Sequence, residues 1–342
     1  MADFLTLSDP LVHGGQLTKM AEHYGIPLEK WLDLSTGIAP FSYPIPAIPS
    51  HVWQRLPEPC NALQTAARDY YQTHNLLAIS GSQVIIQLIP QIAQQQGYAA
   101  SRVWLPEVGY QEHHKAWQNA AYPSIRYREI EELKQLKTQD IVILINPNNP
   151  SGTLYSYPQV AELFHQVKVN NGLLIIDEAF MDCTPQHSFI NQIDSPNLII
   201  LRSLGKFFGL AGLRLGFVAA ANSWLALFKR HLGPWSINGP AQYIGQQALI
   251  DNTWQNKQRH LLAEHSGQLA KLLQQRFKQP PSGTMLFQTV KCQQAEVLFD
   301  KLCQQGIYVR LCDEKNALRF GIPTSSELIR LQLALSTTPE LD

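Results

Sequence analysis

Short runs of aliphatic and β-branched residues, separated by segments with helical spacing, are the feature that most restricts how this chain can fold. The runs are Val103–Leu105, Ile141–Ile145, Leu173–Ile176 and Leu198–Leu201. Apolar strands that alternate with helices are typical of parallel βαβ units whose sheet is covered on both faces. We therefore predict an α/β protein with a mostly parallel central sheet, in which functional loops gather where the strands end.

The chain is predicted to contain an arm and two domains, because its 342 residues exceed what one core usually holds. Residues 1–45 are rich in turn formers and carry one helical segment, so we expect an N-terminal arm that packs on the active site and the small domain. The alternating pattern, with Leu213–Ala219 as a further strand, predicts a large domain over residues 46–228. The helical stretch Ala241–Phe277 and the short strands after it predict a smaller α+β domain over residues 229–342.

Several element boundaries can also be predicted. Asn61 is a plausible N-cap for a helix that runs to Gln72, and a second helix begins at Ser82 and stops at Gly97. In the C-terminal part, Met285–Val290 is a strand candidate.

Composition excludes some classes of partner and site. The chain has 27 basic and 27 acidic residues, and this balance argues against nucleic acid or an anionic membrane as the main partner. Its five cysteines include no C-x-x-C pair, and an odd number fits a reducing compartment. We see no signal peptide and no apolar run of membrane-spanning length, so we expect a cytoplasmic protein.

Four polar blocks lie at the ends of predicted strands or the starts of predicted helices. They are Ser80–Gln83, Asn146–Gly152, Asp177–Phe180 and Ser203–Arg214. In the first block, Gly81 and Ser82 suit an anion at a helix N-terminus, although an ordinary serine cap is the simpler interpretation of this block alone. In the second, Asn149 offers an amide to a phenolic oxygen, and the alternative is a tight turn of Asn, Pro and Gly.

The third block combines a possible charge partner with two alternatives. Asp177 at a strand end suits a salt bridge to a pyridine nitrogen, which would keep the ring protonated and make it an electron sink. A helix cap or a solvated carboxylate is the simpler interpretation. Glu178, followed by Cys183 and His187, is the metal-site alternative, but the spacing matches no known ligand pattern, and no metal is predicted.

The fourth block carries the strongest signal. Lys206 lies among glycines and phenylalanines, and a lysine in an apolar pocket has a lowered pKa and becomes nucleophilic. Ser203, three residues before it, and Arg214, eight residues after it, suit the binding of a phosphate. Together they suggest a lysine held as a Schiff base with a phosphorylated aldehyde cofactor.

In this order, the four blocks resemble the fold-type-I pyridoxal-phosphate enzymes, the aspartate aminotransferase superfamily, over nearly the whole chain. The resemblance implies pyridoxal 5'-phosphate as cofactor, with Lys206 as its Schiff-base lysine and Asp177 on the pyridine nitrogen. It also implies further cofactor contacts from Asn149, Tyr110, Gly81, Ser82, Ser203 and Arg214. Tyr110 matches the ring-stacking aromatic residue, and a packed core tyrosine is the alternative.

Two further regions resemble particular branches. Gly306–Arg310 and Leu318–Ile322 are similar to the histidinol-phosphate aminotransferases, and there Arg319 matches the arginine that binds the substrate α-carboxylate. Arg310 is a second anion contact or a surface charge. The arm, with His13-Gly14-Gly15 and Leu32–Pro40, is similar to the threonine-phosphate decarboxylases of cobalamin biosynthesis. This implies that His13, with Gly14, contacts the substrate phosphate; a solvated histidine is the alternative.

The resemblance implies decarboxylation of L-threonine O-3-phosphate to (R)-1-amino-2-propanol O-2-phosphate, a step of adenosylcobalamin biosynthesis, by a homodimer. A histidinol-phosphate-type aminotransferase is the alternative, and a non-catalytic cofactor-binding regulatory module is a third. Two positions depart from the pattern. Phe180 stands where many relatives have a tyrosine that bonds the ring oxygen, and Leu56 stands where aminotransferases have a tyrosine that reaches the partner subunit.

Overall fold

A computed structural model describes Leu11 and residues 13–337 of the chain. Across the described residues the strands form two sheets, one of seven strands and one of five. The prediction of an α/β fold with a mostly parallel sheet and a smaller α+β part is thereby confirmed. The predicted boundaries between arm, large domain and small domain stay a prediction. No helix in the described part is long and apolar enough to cross a membrane.

The larger sheet has the strand order β2-β8-β7-β6-β5-β3-β4. Its strands are β2 (Leu76–Ile79), β3 (Val103–Pro106), β4 (Ser124–Tyr127), β5 (Ile141–Ile145), β6 (Leu173–Asp177), β7 (Leu198–Ser203) and β8 (Gly216–Ala220). Strands β4, β3, β5, β6 and β7 pair in parallel, whereas β8 runs antiparallel to both of its neighbours. The ends of β5, β6 and β7 therefore meet at one edge of the sheet.

Hydrophobic packing on both faces explains why the central strands are apolar throughout. Every residue of β5, β6, β7 and β8 is buried. Along β5, Ile141 and Ile143 belong to the core on one face, and Val142 and Leu144 belong to the core on the other. This alternation follows the two-residue period of a strand and fits a sheet with helices on both sides.

Helices surround both sheets. They are α1 (Leu17–Tyr24), α2 (Ser50–Gln54), α3 (Asn61–Tyr71), α4 (Ser82–Ala93), α5 (Gln111–Asn119), α6 (Tyr157–Val169), α7 (Leu204–Phe207), α8 (Asn222–Leu232), α9 (Gly239–Ile250), α10 (Asn252–Arg276), α11 (Ala295–Gln304) and α12 (Ser325–Ser336). The predicted stretch Ala241–Phe277 is thus two helices, α9 and α10, and Asp251 between them caps α10 by accepting a hydrogen bond from the Trp254 amide.

The smaller sheet has the order β1-β11-β12-β10-β9. Its strands are β1 (Leu32–Leu34), β9 (Ser282–Thr284), β10 (Phe287–Lys291), β11 (Ile307–Leu311) and β12 (Ala317–Gly321). Strand β1 comes from the predicted arm and pairs in parallel with β11, Leu32 opposite Ile307. The arm is therefore joined to this sheet by backbone hydrogen bonds, a feature the sequence analysis did not predict.

Four boundary predictions are wrong by a few residues. The N-cap of α3 is Cys60, whose Sγ accepts from the Leu63 amide, rather than Asn61. The second helix does not simply stop at Gly97, because α4 passes into a π-helical turn, Gln94–Tyr98, in which Gly97 has a φ of 91°. The predicted strand Leu213–Ala219 begins only at Gly216, since Arg214 before it has a left-handed backbone. The predicted strand Met285–Val290 is likewise displaced to β10, two residues further along.

Candidate active site

A cavity of about 130 Å³ lies at the edge of the sheet where β5, β6 and β7 end. It is lined by all the residues predicted to contact the cofactor. They are Gly81, Ser82, Tyr110, Asn149, Asp177, Ser203, Lys206 and Arg214. Four of the elements involved end or begin here: Asn149 follows β5, Asp177 ends β6, Ser203 ends β7 and Ser82 begins α4. The four sequence blocks, which are far apart along the chain, are thus brought together by the parallel sheet.

The part of the cavity formed by Gly81, Ser82 and Arg214 is suited to a phosphate group. Gly81 has a φ of 87°, and a Cβ atom at this position would lie 2.7 Å from Arg214 Nη2. The glycine therefore allows the guanidinium to lie against the backbone at the start of α4. The first amides of α4 and the Ser82 and Ser203 hydroxyls line the same cavity, and such groups bind anions at helix N-termini.

Asp177 is held by two partners within the protein. Its Oδ2 atom lies 2.9 Å from His113 Nε2, and its Oδ1 accepts a hydrogen bond of 3.1 Å from the Ala179 amide. Both Asp177 and His113 are buried. No role was predicted for His113, although its place three residues after Tyr110, the N-cap residue of α5, is a signal that could have indicated it.

Lys206 lies on the short helix α7, beside the ring of Phe180, whose centre is 5.6 Å from Nζ. Burial lowers the pKa of this lysine from 10.5 to about 8, with further lowering by Arg319 and Arg214 and an opposing effect of Asp177. An amine with such a pKa is partly unprotonated near neutral pH and can attack an aldehyde. Phe180 packs edge-on against Phe287 and has no hydroxyl to offer a ring oxygen.

A second cavity of about 330 Å³ adjoins the first and shares four residues with it: Tyr110, Asn149, Phe180 and Lys206. All residues predicted to bind substrate line this second cavity. They are His13, Gly14, Asn149, Arg310 and Arg319. Two segments of the predicted arm, around Gly14 and around Thr36, form part of its wall.

Arg319 lines the second cavity and reaches Asn149, which lines both cavities. Its guanidinium donates from Nη2 to the Ser35 carbonyl oxygen at 2.7 Å and from Nη1 to Asn149 Oδ1. Its Nε atom is buried and has no hydrogen-bond partner among the described residues. Burial lowers the pKa of Arg319 from 12.5 to about 10, which is still well above neutral pH. The side chain is therefore a buried cation with an unused donor.

Arg310 lies directly opposite Arg319 in the antiparallel pair β11–β12. It donates from Nη2 to Asp313 Oδ1 at 2.6 Å, and only 15% of its side chain is exposed, against 46% for Asp313. The surface charge considered as an alternative for Arg310 does not match this placement, because the guanidinium lines the cavity wall. Asp313 is a second residue that sequence reasoning did not single out.

His13 and Gly14 reach the second cavity because the segment around Gly14 packs closely against Ser35, which lies further along the same arm. A Cβ atom on Gly14 would lie 2.3 Å from the Ser35 carbonyl oxygen, and the Gly15 amide donates to Ser35 Oγ at 2.8 Å. His13 Nε2 lies 2.6 Å from Glu112 Oε1. The imidazole is thus held by a carboxylate and is only partly solvated.

Glu178, considered as a metal ligand, has other partners. Its carboxylate forms a buried ion pair with Arg202 and accepts hydrogen bonds from the Ser188 hydroxyl and the Phe189 amide. Arg202 also pairs with buried Asp182. Among the described residues no group of three or more His, Cys, Asp or Glu side chains is arranged to hold a metal ion. The Glu178 carboxylate therefore belongs to a buried charge cluster.

The residues present fit a phosphorylated aldehyde with a basic ring nitrogen. Lys206 supplies an amine, Asp177 a buried carboxylate, and Arg214 with Ser82 and Ser203 an anion site, all in one cavity. The guanidinium of Arg214 lies against Gly81, and any side chain at position 81 would displace it. This contact is the observation that most directly favours an anion at this place.

Comparison with known proteins gives a consistent result. Residues 56–342 match the family model described as aminotransferase class I and II. A threonine-phosphate decarboxylase of Pseudomonas aeruginosa is 40% identical over 326 residues, covering 95% of this chain and 97% of that protein. A threonine-phosphate decarboxylase of a Sinorhizobium species is 38% identical and covers 90% and 91%.

A solved structure with the same fold is the histidinol-phosphate aminotransferase of Sinorhizobium meliloti in complex with pyridoxal-5'-phosphate. It aligns with a TM-score of 0.79 at 19% identity, covering 98% of this chain and 97% of that one. At this identity the likeness shows the fold, and it does so over nearly the whole chain.

Proposed function

The chain belongs to the class I and II aminotransferase family, and on that premise we propose that it is a pyridoxal-phosphate-dependent threonine-phosphate decarboxylase. Its substrate is L-threonine O-3-phosphate and its products are carbon dioxide and (R)-1-amino-2-propanol O-2-phosphate, which places it in adenosylcobalamin biosynthesis. The relatives that bear this name match the chain over 90% or more of its length.

The observation that carries the proposal is the pair of opposed arginines, Arg310 and Arg319, in the cavity that Lys206 also lines. The proposed substrate carries a carboxylate on the carbon that reacts and a phosphate on its side chain. A small molecule with an anion at each end can occupy both guanidinium groups at once. Histidinol phosphate itself has a phosphate but no carboxylate, so an aminotransferase would engage both guanidinium groups at once only with its second substrate, 2-oxoglutarate or glutamate.

The positions of the two arginines suggest how they share these anions. Arg319 is bonded to Asn149 and lowers the pKa of Lys206, so it is near the reacting centre and is assigned the carboxylate. Arg310 lies on the neighbouring strand and is assigned the phosphate, together with His13 from the arm. This arrangement fixes the direction of the bond between Cα and the carboxylate, and that direction selects which bond breaks.

Bound pyridoxal phosphate supplies an electron sink for the electron pair that remains when the carboxylate leaves as carbon dioxide. The residues of the chain support this chemistry in distinct ways. Asp177, fixed by His113, is placed to stabilise a proton on the ring nitrogen. Lys206 holds the cofactor before substrate arrives and, once released, returns a proton to Cα. Arg214, Ser82 and Ser203 anchor the cofactor phosphate.

The decisive experiment incubates the purified protein, loaded with pyridoxal phosphate, with L-threonine phosphate and measures carbon dioxide release. Release with formation of the amino alcohol phosphate supports the proposal. No release, together with conversion of histidinol phosphate in the presence of 2-oxoglutarate, would instead identify an aminotransferase. The variant Lys206→Ala should lose turnover, and turnover that survived in it would contradict the role of this lysine.

A homodimer is also part of the proposal. Trp53 and Leu56, on and just after α2, are each 65% exposed, and Trp235 is 59% exposed. Helix α2 packs against the start of α9, since a Cβ atom on Gly239 would lie 2.4 Å from the Val52 carbonyl oxygen. Exposed tryptophans of this kind are typical of a protein interface.

Light scattering after size-exclusion chromatography tests the dimer. Trp53→Glu should shift the protein from the mass of a dimer to that of a monomer. The matched control is Ile329→Glu on α12, where the side chain is 61% exposed but is far along the chain from α2. A monomeric wild type, or equal effects of the two variants, would contradict this interface.

A further inference from the structure

Glu112 lies between the arm and the cofactor cavity and contacts both. One carboxylate oxygen, Oε1, is 2.6 Å from His13 Nε2. The other, Oε2, accepts a hydrogen bond of 2.6 Å from Gln83 Nε2, and Gln83 Oε1 in turn accepts from the Tyr110 hydroxyl at 3.1 Å. Four side chains thus form an unbroken line of hydrogen bonds from the arm to the residue predicted to stack on the cofactor.

The carboxylate determines the direction of every bond in this line. An ionised Glu112 can only accept, so Gln83 must present its amide NH₂ to Glu112 and its oxygen to the tyrosine. For the same reason His13 must donate from Nε2. Its other nitrogen, Nδ1, is then the atom left for an anion, and it can donate only when the ring carries two protons. The positive charge of that state would lie against the Glu112 carboxylate.

The carboxylate in this line is largely shielded from solvent, whereas the imidazole of His13 is more exposed. The Glu112 side chain is 15% exposed and that of His13 is 40% exposed. The rings of His13 and Tyr110 are also close, with centroids 5.9 Å apart. Both side chains line the substrate cavity, so a displacement of the arm would change the cavity on the side where Tyr110 stands.

We propose that Glu112 is a positioning residue that fixes His13 for the substrate phosphate and, through Gln83, fixes Tyr110 against the cofactor. The inference rests on the proposed function, because His13 contributes only if the ligand carries a phosphate. Glu112 itself lines neither the cofactor cavity nor the substrate cavity. Its simplest competing role is structural, as a carboxylate in the first turn of α5 that interacts favourably with the helix N-terminus.

A double-mutant cycle on the protein loaded with pyridoxal phosphate separates the two roles. The variants are Glu112→Gln, His13→Ala and the double variant, and binding of L-threonine phosphate is followed through the change in the cofactor's visible absorbance. We expect each single variant to raise the dissociation constant about tenfold, and the double variant to be no weaker than His13→Ala alone. Effects that multiply, or an unchanged constant in Glu112→Gln, would overturn the proposal.

Two controls make the result specific. Glu107→Gln removes a carboxylate that pairs with Arg128 at the surface, and it should leave binding unchanged. L-threonine, which lacks the phosphate, should bind equally to wild type and Glu112→Gln. If Glu112 were only structural, the affinity for both ligands would fall and the thermal midpoint would fall with it.

A second variant tests the branch toward Tyr110 even if Glu112→Gln folds poorly. Gln83→Leu breaks the link to Tyr110 and leaves the His13–Glu112 contact in place. It should alter the circular dichroism of the bound cofactor, while a spectrum identical to that of wild type would refute this branch.

Failure of the proposed function is recognised separately. If the wild type binds histidinol phosphate but not L-threonine phosphate, the decarboxylase assignment is wrong, and the same cycle with histidinol phosphate still tests Glu112. In that case a coupled His13–Glu112 pair supports the positioning role, and independent effects contradict it.

Discussion

Arg310 and Arg319 face each other across the antiparallel strands β11 and β12 as direct backbone partners. In such a pair the Cβ atoms are about 5 Å apart, and like charges placed opposite each other destabilise a sheet. Each guanidinium is partly compensated within the protein, Arg310 by Asp313 and Arg319 by Asn149 and Ser35. The compensation leaves Arg319 Nε without a partner among the residues that the structure describes, so the pair is suited to receive further negative charge from a ligand.

Replacement of either arginine should therefore lower kcat/KM, but the two replacements should act on different kinetic constants. Loss of a hydrogen bond to a charged group costs about 1.5–3 kcal/mol, which is roughly 10- to 150-fold in kcat/KM. For Arg310→Gln we expect the loss mainly in KM, because the phosphate is remote from the reacting carbon. For Arg319→Gln we expect a fall in kcat as well, because the carboxylate orientation is lost. Steady-state kinetics on L-threonine phosphate measure both.

The control for these variants is Arg128→Gln, which removes an exposed arginine that pairs with Glu107 at the surface. Its kinetic constants should equal those of wild type. An unchanged KM in Arg310→Gln would show that the phosphate is bound elsewhere.

The second prediction concerns the affinity for the cofactor and rests on the contact between Gly81 and Arg214. An alanine here would bring its Cβ to 2.7 Å from Arg214 Nη2 and would require an L-residue at a φ of 87°. The guanidinium must then move away from the start of α4, so Gly81→Ala should weaken pyridoxal-phosphate binding by one to two orders of magnitude, roughly 1.4–2.7 kcal/mol. Dialysis of the holoenzyme followed by titration with the cofactor measures the dissociation constant.

Gly212→Ala is the matched substitution. Gly212 lies in the same loop as Arg214, yet a Cβ atom there would have no neighbour within 4 Å. Cofactor affinity should be retained in this variant. Equal losses in both variants would mean that general flexibility of the loop matters and that the close approach at position 81 does not.

The cofactor cavity could be predicted from the sequence for a physical reason. Asp177 and Ser203 are the last residues of apolar strands and Asn149 lies four residues after one, and parallel strands place their carboxyl ends at one edge. Local order along the chain therefore determines proximity in space. Whether these residues take the roles assigned to them stays a prediction that the experiments above address.

Contacts made across long sequence separations could not be predicted in this way. His113 meets Asp177 through the packing of α5, and nothing near Asp177 indicates a histidine partner. Strand β1 has only three residues, too few to show an alternating pattern, and its partner β11 lies near the other end of the chain. The contacts of Glu112 with His13 and Gln83 likewise depend on where the arm lies.

The buried charge cluster gives a prediction about stability. Arg202 is almost fully buried and pairs with both Glu178 and Asp182, and its guanidinium also lies over the Tyr71 ring. Arg202→Met would leave two buried carboxylates without a counter-ion, and loss of one partner of a buried pair costs about 3–5 kcal/mol. Chemical denaturation should show this loss in the free energy of unfolding. A loss below about 1 kcal/mol would mean that solvent reaches the carboxylates.

Lys206 leads to a prediction about pH. Burial, with help from the charges of Arg319 and Arg214, lowers its pKa from 10.5 to about 8. Only the unprotonated amine attacks an aldehyde, so the rate at which the apoenzyme captures pyridoxal phosphate should rise with pH through a midpoint near 8 and level off above it. A group with the ordinary lysine pKa would give a rate that is still rising at pH 10. Stopped-flow absorbance over this pH range measures the midpoint.

Arg319→Met sharpens the same test, because it removes a positive charge that favours the neutral amine. The pKa of Lys206 should rise, and the midpoint of the capture rate should move to higher pH. Arg128→Met, at the surface and paired with Glu107, should leave the midpoint where it is. If Arg319→Met does not move the midpoint or moves it downward, then the charge of Arg319 does not act on Lys206, and the lowered pKa must come from burial and from Arg214.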